Sequence, residues 1–184
     1  TNAARGNLYG YSRDDTFNAA NALSGTKLPM TQQQYGGSLG GPVRRNQTFY
    51  FLNVERRELD QTGLVTVAPE TVNIINARLS AVGYPGAAVS TGIYPNPVNS
   101  LILLGKLDHQ ISGADQLSVR YSLYDVTSSN SRGAGALGAP SGSAGLDNRD
   151  HGVAVGNTTT LSSRLVNEAR AQFVHSHLVA LPTD

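Results

Sequence analysis

Cysteine and tryptophan are both absent from this chain, which excludes disulfides and thiolate metal sites. Charge is scarce as well: Asp, Glu, Lys and Arg make up 15% of the 184 residues, against roughly a quarter in an average soluble domain. A net charge of +1, with no Lys/Arg run, leaves no electrostatic footprint for nucleic acid. No apolar run approaches the ~20 residues that a membrane helix needs; the longest, Leu101 to Leu104, is far too short. Low charge nevertheless comes without high hydrophobicity, since apolar residues account for 39%. A protein of many alternating strands, half of each apolar and half small or polar, has this composition. The chain opens on Thr1 without a signal peptide and closes on Asp184 without a terminal feature. We expect it to be a piece of a longer protein, a single domain over 1–184 with the rest encoded elsewhere.

What is present is glycine, at 20 residues, and tyrosine, at 8. The richest segment is Gln34-Tyr35-Gly36-Gly37-Ser38-Leu39-Gly40-Gly41-Pro42-Val43. It alternates glycine with larger residues, as a strand does where neighbouring backbone comes close. Thr48-Phe49-Tyr50-Phe51-Leu52-Asn53-Val54-Glu55 follows, alternating aromatic or aliphatic side chains with polar ones. The short turn around Asn46 makes the two a hairpin.

The same pattern recurs downstream. Residues 100–110 and 116–127 flank the four-residue turn Ser112-Gly113-Ala114-Asp115; residues 148–161 and 164–181 flank Ser162-Ser163. Between the first and second hairpins, Pro69 to Leu79 places Val72, Ile75 and Leu79 at helical spacing, with Gly83 beyond the end. That predicts one short helix. Residues 128–146 form a Gly/Ala/Ser tract, flexible by composition. Leu8-Tyr9-Gly10-Tyr11 is a further short strand.

Two regularities fix the fold class. The strands number about seven and run to roughly 10–14 residues, where a tilted membrane strand needs about 9–11 and a globular strand averages about five or six. Short turns alternate with long connections over 12–31, 60–99 and 128–147, the asymmetry of outer-membrane barrels. The expected fold is all-β: antiparallel up-and-down strands of an incomplete transmembrane β-barrel, with one short helix in a long loop. Tyr50, Leu52, Val54, Leu117, Val119, Tyr121 and Leu123 would then face lipid. Asn53, Glu55, Lys106, Asp108, Arg120, Glu168 and Arg170 would face the lumen, because a charge on the lipid side costs about 2–4 kcal/mol at the midplane. The alternative is a soluble or secreted β-sandwich binding or adhesion module, whose charged face simply meets water.

Other chemistry is thin. His175-Ser176-His177 sets two imidazoles on one strand face, but no third metal ligand is identifiable. Asp14-Asp15 and Glu55/Glu58 are possible acid–base pairs without an accompanying histidine or nucleophile. Gly36 to Gly41 lacks the Gly-Lys-Ser/Thr of a phosphate loop. We expect no catalytic residue, no metal and no cofactor, and a protein that is not an enzyme.

In its order of motifs the chain resembles the TonB-dependent outer-membrane receptors of the Oar-like group, which carry a carboxypeptidase-regulatory-like domain, a plug and a barrel. Gln34 to Val43 followed by Arg45-Asn46-Gln47-Thr48-Phe49-Tyr50-Phe51 is similar to the start of that barrel. Val67-Ala68-Pro69-Glu70 resembles the loop segment after it, with Ala68 and Glu70 as departures. Gly105-Lys106-Leu107-Asp108-His109-Gln110-Ile111-Ser112, then Asp115-Gln116-Leu117-Ser118-Val119-Arg120-Tyr121, resembles a later hairpin, and Leu165-Val166-Asn167-Glu168-Ala169-Arg170 a further strand. The resemblance covers most of residues 6–175, in order. It implies an outer-membrane location and energy-coupled uptake of a scarce small ligand, glycan or peptide. It also implies a TonB partner engaged through a region outside this stretch, and outer-membrane lipid around the wall. The barrel it implies is of the 22-stranded plugged type, so these strands would be only part of it.

Overall fold

A computed structural model describes residues 2–22 and 25–182. In chain order the strands are β1 (Arg5–Asp14), β2 (Met30–Arg44), β3 (Thr48–Val65), β4 (Gly92–Pro95), β5 (Val98–Ser112), β6 (Asp115–Arg132), β7 (Ala144–Ser162) and β8 (Leu165–Val179), with one helix, α1 (Pro69–Ala81), between β3 and β4. The long strands form one open antiparallel sheet in sequence order, β1-β2-β3-β5-β6-β7-β8. This is the up-and-down wall that the alternation predicts. β4 pairs with the outer end of β3 in the register that β5 holds lower down: Thr62 lies opposite Pro95 and Leu59 opposite Val98. The two are therefore one strand interrupted at Asn96-Pro97, where proline has no N–H to give the ladder.

All three short turns lie at one end of the sheet. Asn46 turns the first at φ 61°, the left-handed region that asparagine tolerates, and Gln47 N–H bonds Arg44 O at 3.1 Å. The ladder shifts register beside each turn, between Pro42 and Arg44, Gln110 and Ser112, and Thr160 and Ser162. α1 forms where expected, with Pro69 in its first turn. Gly83 at φ 66° and the bonds Gly83 N–H to Ser80 O and Tyr84 N–H to Leu79 O close it, a Schellman cap.

The strands are longer than the sequence pattern predicts: β3 and β6 run 18 residues and β7 runs 19. A tilted membrane strand needs only about 9–11, so the surplus projects at the end opposite the turns. The connection read as flexible over 128–146 is a correction. Both of its ends are strand, with β6 reaching Arg132 and β7 starting at Ala144. The remainder is tied down by Ala136 N–H to Leu64 O and Thr66 N–H to Ala136 O. β1 likewise extends past Tyr11 to Asp14. Ladder pairing, which composition does not report, overrides the small-residue bias of 128–146 and the polar character of Ser12 to Asp14.

Among the described residues, the buried apolar side chains are Val65, Val72, Tyr94 and Val126, all in this projecting region. Tyr94 lies over Gly63, where a Cβ would come within 2.3 Å of its ring, and its hydroxyl lies 3.1 Å from where a Cβ at Gly135 would stand. Beside it Asn130 Nδ2 donates to Pro95 O and Ser143 Oγ to Asn130 Oδ1. The sheet itself has no core. Its strands pack on their ladder neighbours, and among the described residues no second sheet faces them, whereas a sandwich needs one about 10 Å away.

Candidate functional site

Directly paired residues of an antiparallel ladder share a face, so the register sorts every side chain of the wall. On one face Tyr50, Leu52 and Val54 of β3 meet Leu107, Gly105 and Leu103 of β5. These in turn meet Val119, Tyr121 and Leu123 of β6, and Leu117 follows at His109. Val155 and Val153 of β7, and then Ala171 and Phe173 of β8, continue the band. Leu8 and Leu39 extend it across β1 and β2. These side chains stand open: Leu52 is 52% exposed and Phe173 69%. At the long-loop end the band stops at charge, with Arg56 bridged to Glu58 at 3.3 Å and Arg149 to Asp125 at 2.5 Å. Tyr121 Oη and His151 Nδ1 are hydrogen-bonded at 2.8 Å within this boundary.

The opposite face is the polar one. Asn53 and Glu55 sit beside Ser38 and Gly36; Lys106 and Asp108 beside Arg120 and Ser118; Glu168 and Arg170 beside Thr158 and Gly156. The register therefore gathers the seven residues expected to line the lumen on one side, and the seven expected to meet lipid on the other. The polar face is not uniform, since Phe49, Phe51, Ile102 and Leu104 also lie on it.

Near the turn end this face holds a concavity of about 440 Å³ spanning β5 to β8. Its floor on β7 is made of small residues, Ala154 and Gly156, and its rims carry Lys106, Asp108, Arg120, Glu168 and Arg170. Lys106 Nζ lies 2.9 Å from Asp108 Oδ2, and Arg170 Nε donates to Glu168 Oε1 at 2.9 Å. Arg120 has no ion-pair partner among the described residues. Small side chains between fixed, mixed charges give a wettable groove.

Two residues that the sequence reading passed over stand out here. Tyr9 of β1 donates its hydroxyl to Glu55 of β3, and Arg57 Nε is buried on the same face with no hydrogen-bond partner among the described residues. Strand alternation could have placed each on a face, but only pairing places them together.

The other candidates separate. Glu55 and Glu58 are three residues apart on a strand and so point to opposite faces; they are not a carboxylate pair. Asp14 accepts from Thr16 N at 2.7 Å, ending β1 as a turn cap. This holds its carboxyl below the usual range, through the Thr16 side chain first and its backbone second. The 36–41 glycines lie within β2, paired on both sides. The ladder sets His151 opposite His175, a third imidazole on the face of His175 and His177. No group of three His, Cys, Asp or Glu is arranged to hold a metal among the described residues.

A wall of long strands with short turns at one end, one open apolar face and one polar face matches a known family. The outer membrane beta barrel domain matches residues 1–103 and, overlapping, 96–184. The chain belongs to the outer membrane β-barrel domain family. Its location is accordingly the outer membrane. No curated protein and no solved structure matches it. Within an outer membrane β-barrel, the long strands and tight turns described above are what spanning requires. Among the described residues no helix is long and apolar enough to cross a membrane, and the strands do the crossing.

Proposed function

We propose that this chain is a section of the barrel wall of a TonB-dependent outer-membrane receptor of the Oar-like kind, which imports a scarce ligand with energy passed from the inner membrane. In this reading the face of Tyr50, Leu52, Val54, Leu117, Val119, Tyr121 and Leu123 meets lipid. The face of Asn53, Glu55, Lys106, Asp108, Arg120, Glu168 and Arg170 lines the interior. Plug, coupling segment and further strands would lie outside this stretch, and 1–184 would be one partial barrel domain. The wall carries no enzymatic activity; it shapes and wets a path.

The observation that supports this most is the ordered run of hairpin motifs, in a register that segregates their charged residues on one face. A soluble sandwich is disfavoured because, among the described residues, nothing packs against the sheet as a second layer. The test is ligand-limited growth or uptake by cells carrying the full receptor, with and without a functional TonB complex. Uptake should collapse without energy coupling. Uptake that persists unchanged would leave an outer-membrane barrel but remove the TonB-dependent reading.

A further inference from the structure

Two aromatic rings on the polar face are seated on glycines of β2. The Tyr9 ring of β1 lies over Gly36, where a Cβ would meet its Cζ at 2.9 Å, and its hydroxyl is anchored on Glu55. The Phe51 ring of β3 leans over Gly40 from the other side, with Cδ2 3.2 Å from where a Cβ would stand. The two seats are four residues apart on β2, which is about 13 Å along a strand. The row between them is polar. Asn7, Ser38 and Asn53 are directly paired there, and Ser38 Oγ donates to Asn7 Oδ1, while the Asn7 Nδ2 protons have no partner among the described residues. Tyr11 stands beside Tyr9, with ring centroids 5.8 Å apart and planes tilted by 47°, and is 66% exposed. At the Phe51 end the face dips into a concavity of about 470 Å³ lined by Arg5, Asn7, Ser38, Phe51 and Asp108, within the roughly 300–1,000 Å³ of small-molecule sites.

We propose that this strip of β1–β3 is a binding site for a neutral oligosaccharide. The inference rests on the proposed reading of this wall as a receptor section with this face lumenal, and it names the substrate class. A pyranose presents a face of C–H groups and a rim of hydroxyls. The C–H groups stack on the electron-rich face of an aromatic ring, and each hydroxyl takes a donor or an acceptor at the edge. The strip supplies both in alternation: a ring, a row of amide and hydroxyl groups, a second ring. Asn7 and Asn53 can donate and accept, whereas Glu55 only accepts. Charge argues against other ligands. Asp108 is bridged to Lys106, and Glu55 and Arg57 sit two residues apart on the same face of β3. Arg5 alone is left over, too little for a multiply charged chelate or phosphate, and no carboxylate is left over for a cation. An extended peptide would pair with a strand edge, and the outer edge of β1 lies to the side of these rings. Rings already fixed over glycine lose little freedom when a ligand stacks on them.

The test uses the full receptor, extracted in a polyoxyethylene detergent that carries no sugar headgroup. Isothermal titration calorimetry with maltohexaose, cellohexaose and laminarihexaose samples three glucan linkages, and tetraalanine serves as the peptide probe. At least one hexasaccharide should bind, and the matching disaccharide, too short to touch both rings, should bind more weakly. Tyr11→Ala and Phe51→Leu should each weaken hexasaccharide binding about two- to tenfold, the range of one aromatic contact. Phe173→Leu removes a ring from the opposite face of the sheet and should leave the affinity unchanged. Should Phe51→Leu lose heat-modifiable migration, Asn7→Ala removes an amide without touching a ring and carries the same expectation. No hexasaccharide binding, or equal affinity in every variant, overturns the site and leaves the wall reading standing. Binding of tetraalanine that falls in Tyr11→Ala replaces the sugar with a peptide and equally overturns the site. The lumenal reading is checked separately with Tyr11→Cys in vesicles, labelled by a water-soluble or a lipid-soluble maleimide and read against the unmodified protein. Labelling by the water-soluble reagent is expected. Labelling by the lipid-soluble reagent alone overturns the lumenal reading itself, and labelling by neither means that protein covers the strip, which overturns the site.

Discussion

The Tyr9 hydroxyl on β1 reaches the Glu55 carboxylate on β3, two strands away, by crossing directly over Gly36 on β2. A Cβ at position 36 would stand 2.5 Å from Val54 O and 2.8 Å from Tyr9 Oη. The glycine is therefore what lets a tyrosine ring lie flat along the wall and tie three strands together.

Gly36→Ala should lower stability by about 1–3 kcal/mol, the usual cost of forcing extra atoms into a packed site, because Val54 O is backbone and cannot rotate away. Tyr9→Phe should cost less than the roughly 1.5–3 kcal/mol of a hydrogen bond to a charged group, since the face is open to water. Urea unfolding of the vesicle-reconstituted protein measures both. The double variant should lose little beyond Gly36→Ala alone. Strict additivity would mean that the two residues are not coupled over this strand.

Asp14 gives a pH dependence outside the membrane. Its folded pKa is lowered, by the Thr16 side chain first and the Thr16 backbone second. The contribution is thus present above the unfolded value of about 3.9 and is lost as pH falls through the lower folded value. Protection of the Thr16 amide against hydrogen exchange, corrected for intrinsic rate, should drop over that acid range. It should be low and pH-independent in Asp14→Ala. An identical profile in both proteins would dissociate the cap from the turn.

Tyr94 packs into a gap left by Gly63 and Gly135 and is 7% exposed, so it clamps the 133–143 connection onto β3. Tyr94→Ala should open that connection to protease while leaving the spanning strands intact, because few other buried side chains hold it. Cleavage mapped to 133–143 by mass spectrometry checks this. Resistance equal to the unmodified protein would assign the order of this region to its backbone bonds alone.

Much of this was legible in the sequence because period-2 alternation is a backbone property. Leu117 to Leu123 had to share a face, and Gly83 had to follow a helix. The turns at Asn46, Gly113 and Ser162 were legible from their chemistry. What stayed hidden depends on partners. The tract 128–146 reads as a linker until Ser128 is seen opposite Leu146 on the ladder. The glycines of 36–41 are visibly strand glycines, but not that Gly36 makes room for the Tyr9 ring and Gly37 for the Leu8 side chain. β4 is four residues long and exists because β3 continues past the membrane and offers an edge.

The segregation of faces yields the most discriminating comparison. Val119 and Ser118 are neighbours in the turn-proximal part of β6, but Val119 pairs with Leu107 and Val155 on the apolar face while Ser118 pairs with Asp108 and Gly156 on the other. Val119→Lys should lower stability by more than about 1 kcal/mol, since a lipid-facing cation costs about 2–4 kcal/mol at the bilayer midplane and less toward the interfaces. It should also shift the protein from the folded to the unfolded band in heat-modifiable migration. Ser118→Lys adds the same side chain one residue away, beside Asp108 in the wettable groove, and should change stability by less than about 1 kcal/mol, the range of an exposed ion pair. In detergent, where no hydrocarbon slab is imposed, the gap between the two should narrow. Equal penalties in vesicles would mean that both faces see the same solvent, and the division of this wall into a lipid side and a lumenal side would not stand.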